Sequence, residues 1–339
     1  MHDDDEVYDT IPDSNHVELV MDGLLDSIEG NEGQNLSKAQ HYLQGVLYAS
    51  GSVRTTDIEG NEGFFSSIGD GLKKAWDYVK KMFTWIYNLF FKKENKEQDQ
   101  KAHDSLDKAE KSIKQVEQAK VPEAKVKETI STIAARITHM PESREKKHLD
   151  DKIEAIKTLD SKSAQARELS ELLPEVFKVS LLNYDRLLAK QEKINAAVEK
   201  LENREAIYKS EGADKEEWAA DIRLYLNGLI GLPDAFESVT DLSSAKAWIA
   251  KSRRCLQAMN NNLENYRTRE SSLKTRISEI ESALMAYGKD KKSTRPTPLL
   301  DQLKKSLVSV SAIIYTAGQI REAITETGEI ISKACVSVL

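Results

Sequence analysis

A helical spacing of apolar residues runs through most of the chain and constrains its fold more than any other feature. From about residue 99 onwards, apolar side chains recur three or four positions apart, as they do along one face of an α-helix. Near the C-terminus this stripe comprises Leu303, Leu307, Val310, Ile314, Ala317 and Ile324. No segment shows the apolar–polar alternation that is typical of a strand. The pattern therefore predicts an all-α protein.

Further stripes of the same kind indicate how these helices pack. One stripe comprises Leu187, Ile194, Val198, Leu201 and Tyr208, and another comprises Leu263, Tyr266, Leu273, Ile277, Ile280, Leu284 and Tyr287. Prolines are expected to separate the helices at Pro122, Pro141, Pro174, Pro233, Pro296 and Pro298. Apolar stripes pack against one another as helical bundles or coiled coils. We therefore predict a long-helix bundle or antiparallel coiled coil over residues 99–339.

The first 62 residues differ from the rest of the chain in charge. They contain fourteen acidic side chains and only two basic ones, Lys38 and Arg54, so this segment carries −12. The whole chain carries −7, which leaves +5 for the remainder. Acidic segments commonly mask basic or adhesive surfaces. We interpret residues 1–62 as a mostly disordered acidic propeptide with short amphipathic helices at 16–25 and 37–49. The alternative is an acidic tail that only aids solubility.

One hexapeptide occurs twice in this acidic segment. Ile-Glu-Gly-Asn-Glu-Gly stands at residues 28–33 and again at 58–63, each time after one of the predicted helices. No fold requires such a polar sequence twice, whereas a protease recognises short extended segments, and glycine lets the chain extend. The alternative is a duplicated loop. The candidate cleavage residues are Gly30, Asn31, Glu32 and Gly33 in the first copy and Gly60, Asn61, Glu62 and Gly63 in the second.

Residues 64–93 form the most apolar part of the chain and are predicted to be a basic amphipathic helix. Its apolar face comprises Phe65, Ile68, Leu72, Trp76, Val79, Phe83, Ile86 and Phe90, and its basic residues are Lys73, Lys74, Lys80 and Lys81. Such a helix lies on a membrane surface, or it packs on the downstream bundle or on its own copies. Both interpretations stay open, and the lysines are expected to pair with the acidic propeptide. Residues 63–98 thus form a segment between the propeptide and the bundle.

The sequence contains no motif that indicates an enzyme. It has no phosphate-binding glycine loop, nucleophile elbow or paired-histidine metal motif, so no cofactor is expected. Cys255 and Cys335 are far apart, which favours a reducing compartment without disulfides. Arg253 and Arg254 precede Cys255 and would lower the pKa of its thiol, although a part-buried thiol is the simpler interpretation. Neither a bilayer-spanning segment nor a secretory signal is expected.

The duplicated hexapeptide resembles the sites cut by the maturation proteases of giant tailed bacteriophages of the φKZ type. These proteases cut after glutamate in the pattern Ser/Ala/Gly-X-Glu, which Gly-Asn-Glu matches at residues 30–32 and 60–62. The pattern also occurs at residues 27–29, 143–145 and 166–168, of which the last two are predicted to lie in helices. The resemblance covers about residues 1–65. It implies cleavage after Glu32 and after Glu62.

This resemblance implies an internal head, or inner-body, protein that is made as a precursor. In such phages an N-terminal propeptide directs the protein into the prohead, where the prohead protease removes it. The implied partners are this protease and other capsid or inner-body proteins or the chain itself, and the implied fate is packaging, and for some such proteins ejection, with the genome. The +5 charge of the remainder favours weak non-specific DNA contact, and the helix at 64–93 favours membrane contact. The implied location is the capsid interior, with the host cytoplasm before assembly. The alternatives are a scaffolding or core protein that is degraded during maturation, and a cellular membrane-binding helical protein.

Overall fold

The structure is a computed structural model that describes residues 14–29, 36–53, 70–91, 93–182, 185–213, 216–232, 239–268, 270–290 and 293–339. All regular secondary structure in this part of the chain is helical, which confirms the all-α prediction. A 3₁₀ turn at Glu123–Lys125 precedes α5. The α-helices are α1 (Ser14–Glu29), α2 (Lys38–Ala49), α3 (Asp70–Phe91), α4 (Lys93–Gln118), α5 (Val126–Thr138), α6 (Arg144–Lys157), α7 (Lys162–Leu182), α8 (Asp185–Ser210), α9 (Glu217–Gly228), α10 (Leu242–Thr268), α11 (Glu270–Lys289) and α12 (Thr297–Val338).

Most of the described prolines separate helices, as the sequence predicts. Pro141 lies between α5 and α6, and Pro296 directly precedes α12. Pro298 is the second residue of α12, where the first turn tolerates a proline. Pro174 lies inside α7. A proline removes one hydrogen bond from a helix interior, but Val176 and Phe177 in the following turn are fully buried. Their packing keeps the helix continuous, and the prediction of a helix boundary at Pro174 is wrong.

The chain divides into two compact units, and neither unit is continuous in sequence. Unit 1 contains α1, α2 and α3 together with residues 199–227 and 260–317. Unit 2 contains residues 96–198, 228–259 and 318–339. The compact units therefore differ from the linear division into propeptide, amphipathic helix and bundle. The three N-terminal helices share one unit with residues that the sequence assigns to the bundle.

The core of unit 1 combines apolar side chains from both ends of the chain. The C-terminal stripe contributes as predicted, because Leu303, Leu307 and Ile314 are buried there. Side chains of α1 and α2 belong to the same buried cluster. We call the apolar residues of α3, α11 and α12 in this cluster the seat; they are Leu72, Ala75, Trp76, Tyr78, Val79, Met82, Phe83, Ile86, Ile280, Leu284, Tyr287, Leu300, Leu303, Leu307, Val308 and Ile314.

Two segments of the acidic N-terminal region are folded helices that pack on each other and on α3. We call residues 14–53, which contain α1 and α2, the N-terminal hairpin. Ser37 and Gln40 form a capping box at the start of α2, since each side chain accepts a hydrogen bond from the backbone N–H of the other. The amphipathic helices predicted at 16–25 and 37–49 are confirmed, and the first extends further at both ends than predicted. The residues of the region outside 14–29 and 36–53 lie outside the described part.

Unit 2 has buried side chains of its own. Helices α5, α6 and α7 contact one another, and Phe177 and Trp248 are among the largest fully buried residues. The side chain of Arg321 is only 3% exposed, and its Nε lies 3.4 Å from Oδ1 of Asp99. A buried charge is costly without a partner, so this pairing keeps the guanidinium compatible with the interior.

Both cysteines are buried in unit 2. Burial raises the pKa of the Cys255 thiol and of the Cys335 thiol to about 12. The neighbouring Arg253 points its guanidinium at Asp107 and Glu110, at 2.5 and 2.8 Å. The pKa of Cys255 is therefore raised rather than lowered, and both thiols stay protonated at neutral pH.

Candidate functional site at the N-terminal hairpin

The two copies of the hexapeptide stand on either side of α2. The first begins with Ile28 and Glu29, the last two residues of α1, and the second belongs to the connection between α2 and α3. Cuts after Glu32 and Glu62 would fall between α1 and α2 and between α2 and α3, outside the bounds of all three helices. The candidate cleavage residues themselves lie outside the described residues; they are Gly30, Asn31, Glu32, Gly33, Gly60, Asn61, Glu62 and Gly63.

The other described matches to the protease pattern lie in helices or at a helix start, including residues 197–199 of α8, whereas the match at residues 235–237 lies outside the described residues. Residues 27–29 belong to α1, and residues 166–168 lie within α7. Ser143 is the N-cap of α6, and its Oγ accepts a hydrogen bond from the backbone N–H of Lys146. The predicted helical setting of the matches at 143–145 and 166–168 is confirmed. A protease that binds its substrate in extended form cannot use these segments unless the helices first unfold.

The apolar face of α3 is turned into the core of unit 1. Trp76, Val79 and Ile86 are 1 to 3% exposed, and Leu72 and Phe83 are each 7% exposed. All five share the cluster with side chains of α1, α2, α11 and α12. Of the two interpretations of this helix, the structure therefore shows packing within the chain. Three predicted members of the face cannot be placed, because Phe65, Ile68 and the side chain of Phe90 lie outside the description.

The basic residues of α3 differ in their surroundings. Lys80 Nζ lies 2.6 Å from Glu281 of α11 and 3.0 Å from Asp77. The hydrogen bond to Glu281 is the main reason that the pKa of Lys80 is raised. Lys73 and Lys81 are exposed, whereas Lys74 is half-buried. The expected pairing of Lys80 with the propeptide is wrong, because its carboxylate partners lie on α3 and α11.

The carboxylates of α1 pair with cations from distant parts of the chain. Arg204 of α8 donates two hydrogen bonds to Glu18, at 3.0 and 2.9 Å. These hydrogen bonds lower the pKa of Glu18, although partial burial acts in the opposite direction. Lys304 of α12 donates a hydrogen bond of 2.6 Å to Asp22. A bidentate arginine–carboxylate pair fixes the relative orientation of the two side chains in addition to pairing their charges. The pair therefore holds α1 in one register against α8.

Aromatic residues add polar contacts around the same helix. Tyr287 of α11 donates a hydrogen bond of 3.2 Å to the carbonyl oxygen of Ile28, at the end of α1. The ring nitrogens of His16 lie 2.8 Å from the hydroxyl of Tyr42 and 3.2 Å from that of Tyr78. His16 thereby connects α1 to both α2 and α3. Both ends of α1 are fixed to other helices of unit 1.

Helices α1 and α2 approach each other closely at Gly23. A Cβ atom added to Gly23 would lie 2.5 Å from the carbonyl oxygen of Ala39 and 2.7 Å from Cβ of Leu43. Both distances are well below van der Waals contact. The missing side chain at position 23 therefore allows the two helices to pack at this separation.

We expect Gly23→Ala to lower the free energy of unfolding. Overpacking typically costs about 1–3 kcal/mol, which outweighs the gain in helix propensity of about 1 kcal/mol. Gly45→Ala on α2 is the matched control, since nothing lies within 4 Å of its added Cβ. That control should leave stability unchanged or raise it. Urea unfolding of both variants gives the comparison. Equal effects of the two substitutions would contradict the close approach at Gly23.

The pair between Glu18 and Arg204 makes stability depend on pH. Folding lowers the pKa of Glu18 below its ordinary value of 4.5. The ionised carboxylate therefore stabilises the fold fully at pH values above 4.5, and this contribution is lost as the pH falls through the lower pKa of the folded state. Glu18→Gln should therefore cost about 1–3 kcal/mol at neutral pH and less below pH 4.5. Exposed Glu279 provides the control substitution Glu279→Gln. A cost that stays constant across this pH range would contradict the assignment.

The residues that hold α1 were missed by sequence reasoning. Arg204, Lys304 and Tyr287 are 186, 282 and 259 positions away from their partners on α1. No local pattern marks contacts of this range. The available signal was indirect, because the apolar stripes of α1 and α2 needed a buried partner surface, and Tyr287 belongs to a predicted stripe.

No family model, curated protein or solved structure matches the chain. Within the described ranges, no group of histidine, cysteine or carboxylate side chains is arranged to hold a metal ion. The helices of the same ranges are all too short or too polar to cross a membrane.

Proposed function

We propose that the chain is the precursor of an internal virion protein of a large tailed phage. In this proposal the prohead protease cuts it after Glu32 and Glu62, and the product is packaged in many copies with the genome. The observation that carries the proposal is the duplicated hexapeptide, whose copies stand on either side of α2. Their placement between helices supports stepwise cutting. The protein would act in the capsid interior and make contact with other capsid or inner-body proteins or with its own copies.

The charge distribution supports a role beside packaged DNA. An N-terminal segment of −12 disfavours contact between the precursor and nucleic acid before assembly. A remainder of +5 permits weak contact with phosphates without sequence specificity. The modest positive charge suits a protein that coexists with dense DNA at high copy number. It does not suit a tight DNA-binding protein.

The described helices favour a stable product over a scaffold that is degraded. A scaffold would be cut throughout, including after Glu145 and Glu168. Those residues lie in α6 and α7, where the chain is not extended. The rival role as a cellular membrane-binding protein requires an exposed apolar face on α3. That face is covered, so this role would first require the N-terminal hairpin to leave the seat.

Processing can be tested in cells that produce the chain together with the maturation protease of a φKZ-type phage. We expect the product to begin at Gly63, and we expect Glu62→Ala to prevent the cut before that residue. Glu145→Ala is the control, because it changes a matching glutamate within α6. Intact-mass measurement distinguishes the products. A cut before Gly63 that persists in Glu62→Ala, or is lost in Glu145→Ala, would overturn the proposal.

A further inference from the structure

The N-terminal hairpin is seated as deeply as the rest of the core of unit 1. Its buried apolar side chains are 0 to 4% exposed and belong to the same cluster as the seat. They are Val17, Val20, Met21, Leu24, Ile28, Leu43, Leu47 and Val53. A propeptide that only directs the protein into the prohead and is then removed would not need to share the hydrophobic core of the body. The depth of burial therefore bears on what happens after the chain is cut.

The polar contacts of α1 reach residues on the far side of the proposed cut. Arg204, Lys304 and Tyr287 lie on α8, α12 and α11, and each contacts α1 directly. These contacts do not depend on the connection between α2 and α3. Opening the chain between Glu62 and Gly63 breaks one peptide bond and leaves every one of them in place.

We propose that residues 14–53 stay bound to the seat after the cut, so that the product is a noncovalent complex of an N-terminal peptide and a body. The seat is then an interaction surface, and the partner that fits it is the chain's own N-terminal segment. This inference rests on the cut proposed above, but it does not depend on which protease makes that cut.

Retention of the peptide determines when the charges separate. The cut alone leaves a peptide of charge −12 bound to a body of charge +5, so the complex keeps the net charge of −7 that the uncut chain has. The body gains its positive charge only when the peptide dissociates. Cleavage therefore prepares the protein for a later step, in which the peptide is displaced and the seat is uncovered.

A second cut, after Glu32, is expected to release α2 before α1. Five of the eight buried apolar side chains belong to α1, which also carries the contacts to α8, α11 and α12. The described polar contacts at α2 include those of Ser37 with Asp26 and of Tyr42 with His16, and both of these partners lie on α1. Once the two helices are separate peptides, α1 is held by the body more firmly than α2.

The test uses the full chain with a cut that can be made at will. Replacing residues 57–62 by Glu-Asn-Leu-Tyr-Phe-Gln, ahead of Gly63, creates the site of a sequence-specific cysteine protease without changing the chain length. After complete cleavage, gel filtration and native mass spectrometry at micromolar concentration are expected to show one peptide on each body. A peptide that elutes apart from the body, or bodies that associate with one another without peptide, would overturn the inference.

Matched substitutions on α1 show whether the buried face holds the peptide. Leu24 is fully buried and Leu19 is 36% exposed. Leu24→Asp should therefore lower retention by at least about tenfold, and Leu19→Asp should leave it nearly unchanged. If uncut Leu24→Asp does not fold, as judged by circular dichroism, Glu18→Gln takes its place and should also weaken retention. Equal loss in Leu19→Asp and in the buried-site variant would overturn the inference.

The two proposals fail separately. Loss of the peptide after the engineered cut would refute retention and leave the proposed processing untouched, since that is judged by Glu62→Ala. Conversely, a natural chain that is never cut would refute the processing, while the engineered cut would still report whether the seat holds the hairpin.

Discussion

A chain that begins at Gly63 is expected to unfold at a lower temperature than the full-length protein and to self-associate more strongly. Without the N-terminal hairpin, the seat exposes Trp76, Val79, Ile86 and their neighbours on α11 and α12. Burial of one Val, Leu, Ile or Met side chain contributes about 1.5–3 kcal/mol. The loss of eight such side chains rivals the roughly 5–15 kcal/mol by which a typical domain is stable. The uncovered apolar face should then self-associate or bind vesicles.

Light scattering and flotation with anionic vesicles measure this outcome. The shortened chain should form larger species or bind vesicles more strongly than the full chain. Binding to vesicles should fall as salt rises, because exposed Lys73 and Lys81 are screened. A chain that begins at Ser14, which lacks only the residues ahead of α1, is the control and should behave like the full-length protein. A monodisperse shortened chain with an unchanged unfolding temperature would contradict the burial of the hairpin.

We expect Ile86→Asp to unfold unit 1 in the full-length protein. The side chain of Ile86 is 2% exposed within the cluster of α1, α3, α11 and α12. A carboxylate placed there is buried among apolar side chains, which costs upwards of about 4 kcal/mol. If the apolar face of α3 instead served as a free membrane surface, the same substitution would leave the stability of the soluble protein unchanged.

Asn88→Asp provides the matched control for this substitution. Asn88 lies two residues further along the same helix, and its side chain is exposed. The control adds the same charge and should shift the urea midpoint little, since surface substitutions commonly change stability by less than about 0.5 kcal/mol. Urea unfolding followed by tryptophan emission compares the two variants. Equal midpoints would show that the face of α3 is not part of the core.

Local periodicity was sufficient to predict the helices but not their division into compact units. The stripe through Leu303, Leu307 and Ile314 predicted a buried helical face, and the structure buries it. The same reasoning placed an apolar face on α3 correctly and left its partner open. That partner includes α1 and α2, which were predicted as short amphipathic helices but were assigned to a separate acidic propeptide. Composition averages over a segment, whereas burial depends on the few apolar positions of one helical face.

The long-range polar contacts could not be predicted from the sequence, because no local pattern identifies their partners. Glu18 on α1 resembles the other acidic residues around it, and nothing in its neighbourhood singles out Arg204 at a separation of 186 residues. The expectation that the lysines of α3 pair with the propeptide followed from the propeptide's net charge of −12. In the folded chain Lys80 pairs with Glu281, 201 residues away. Charge complementarity is decided by the packing of the helices rather than by their order.

The most direct test of the proposed function is the intact mass of this protein isolated from mature particles. We expect a body that begins at Gly63 and continues uncut through α6 and α7. Particles should contain no detectable chain that still begins at Met1. A full-length chain in mature particles, or a body cut after Glu145 and Glu168, would contradict the proposal that this protein is a processed and retained internal component.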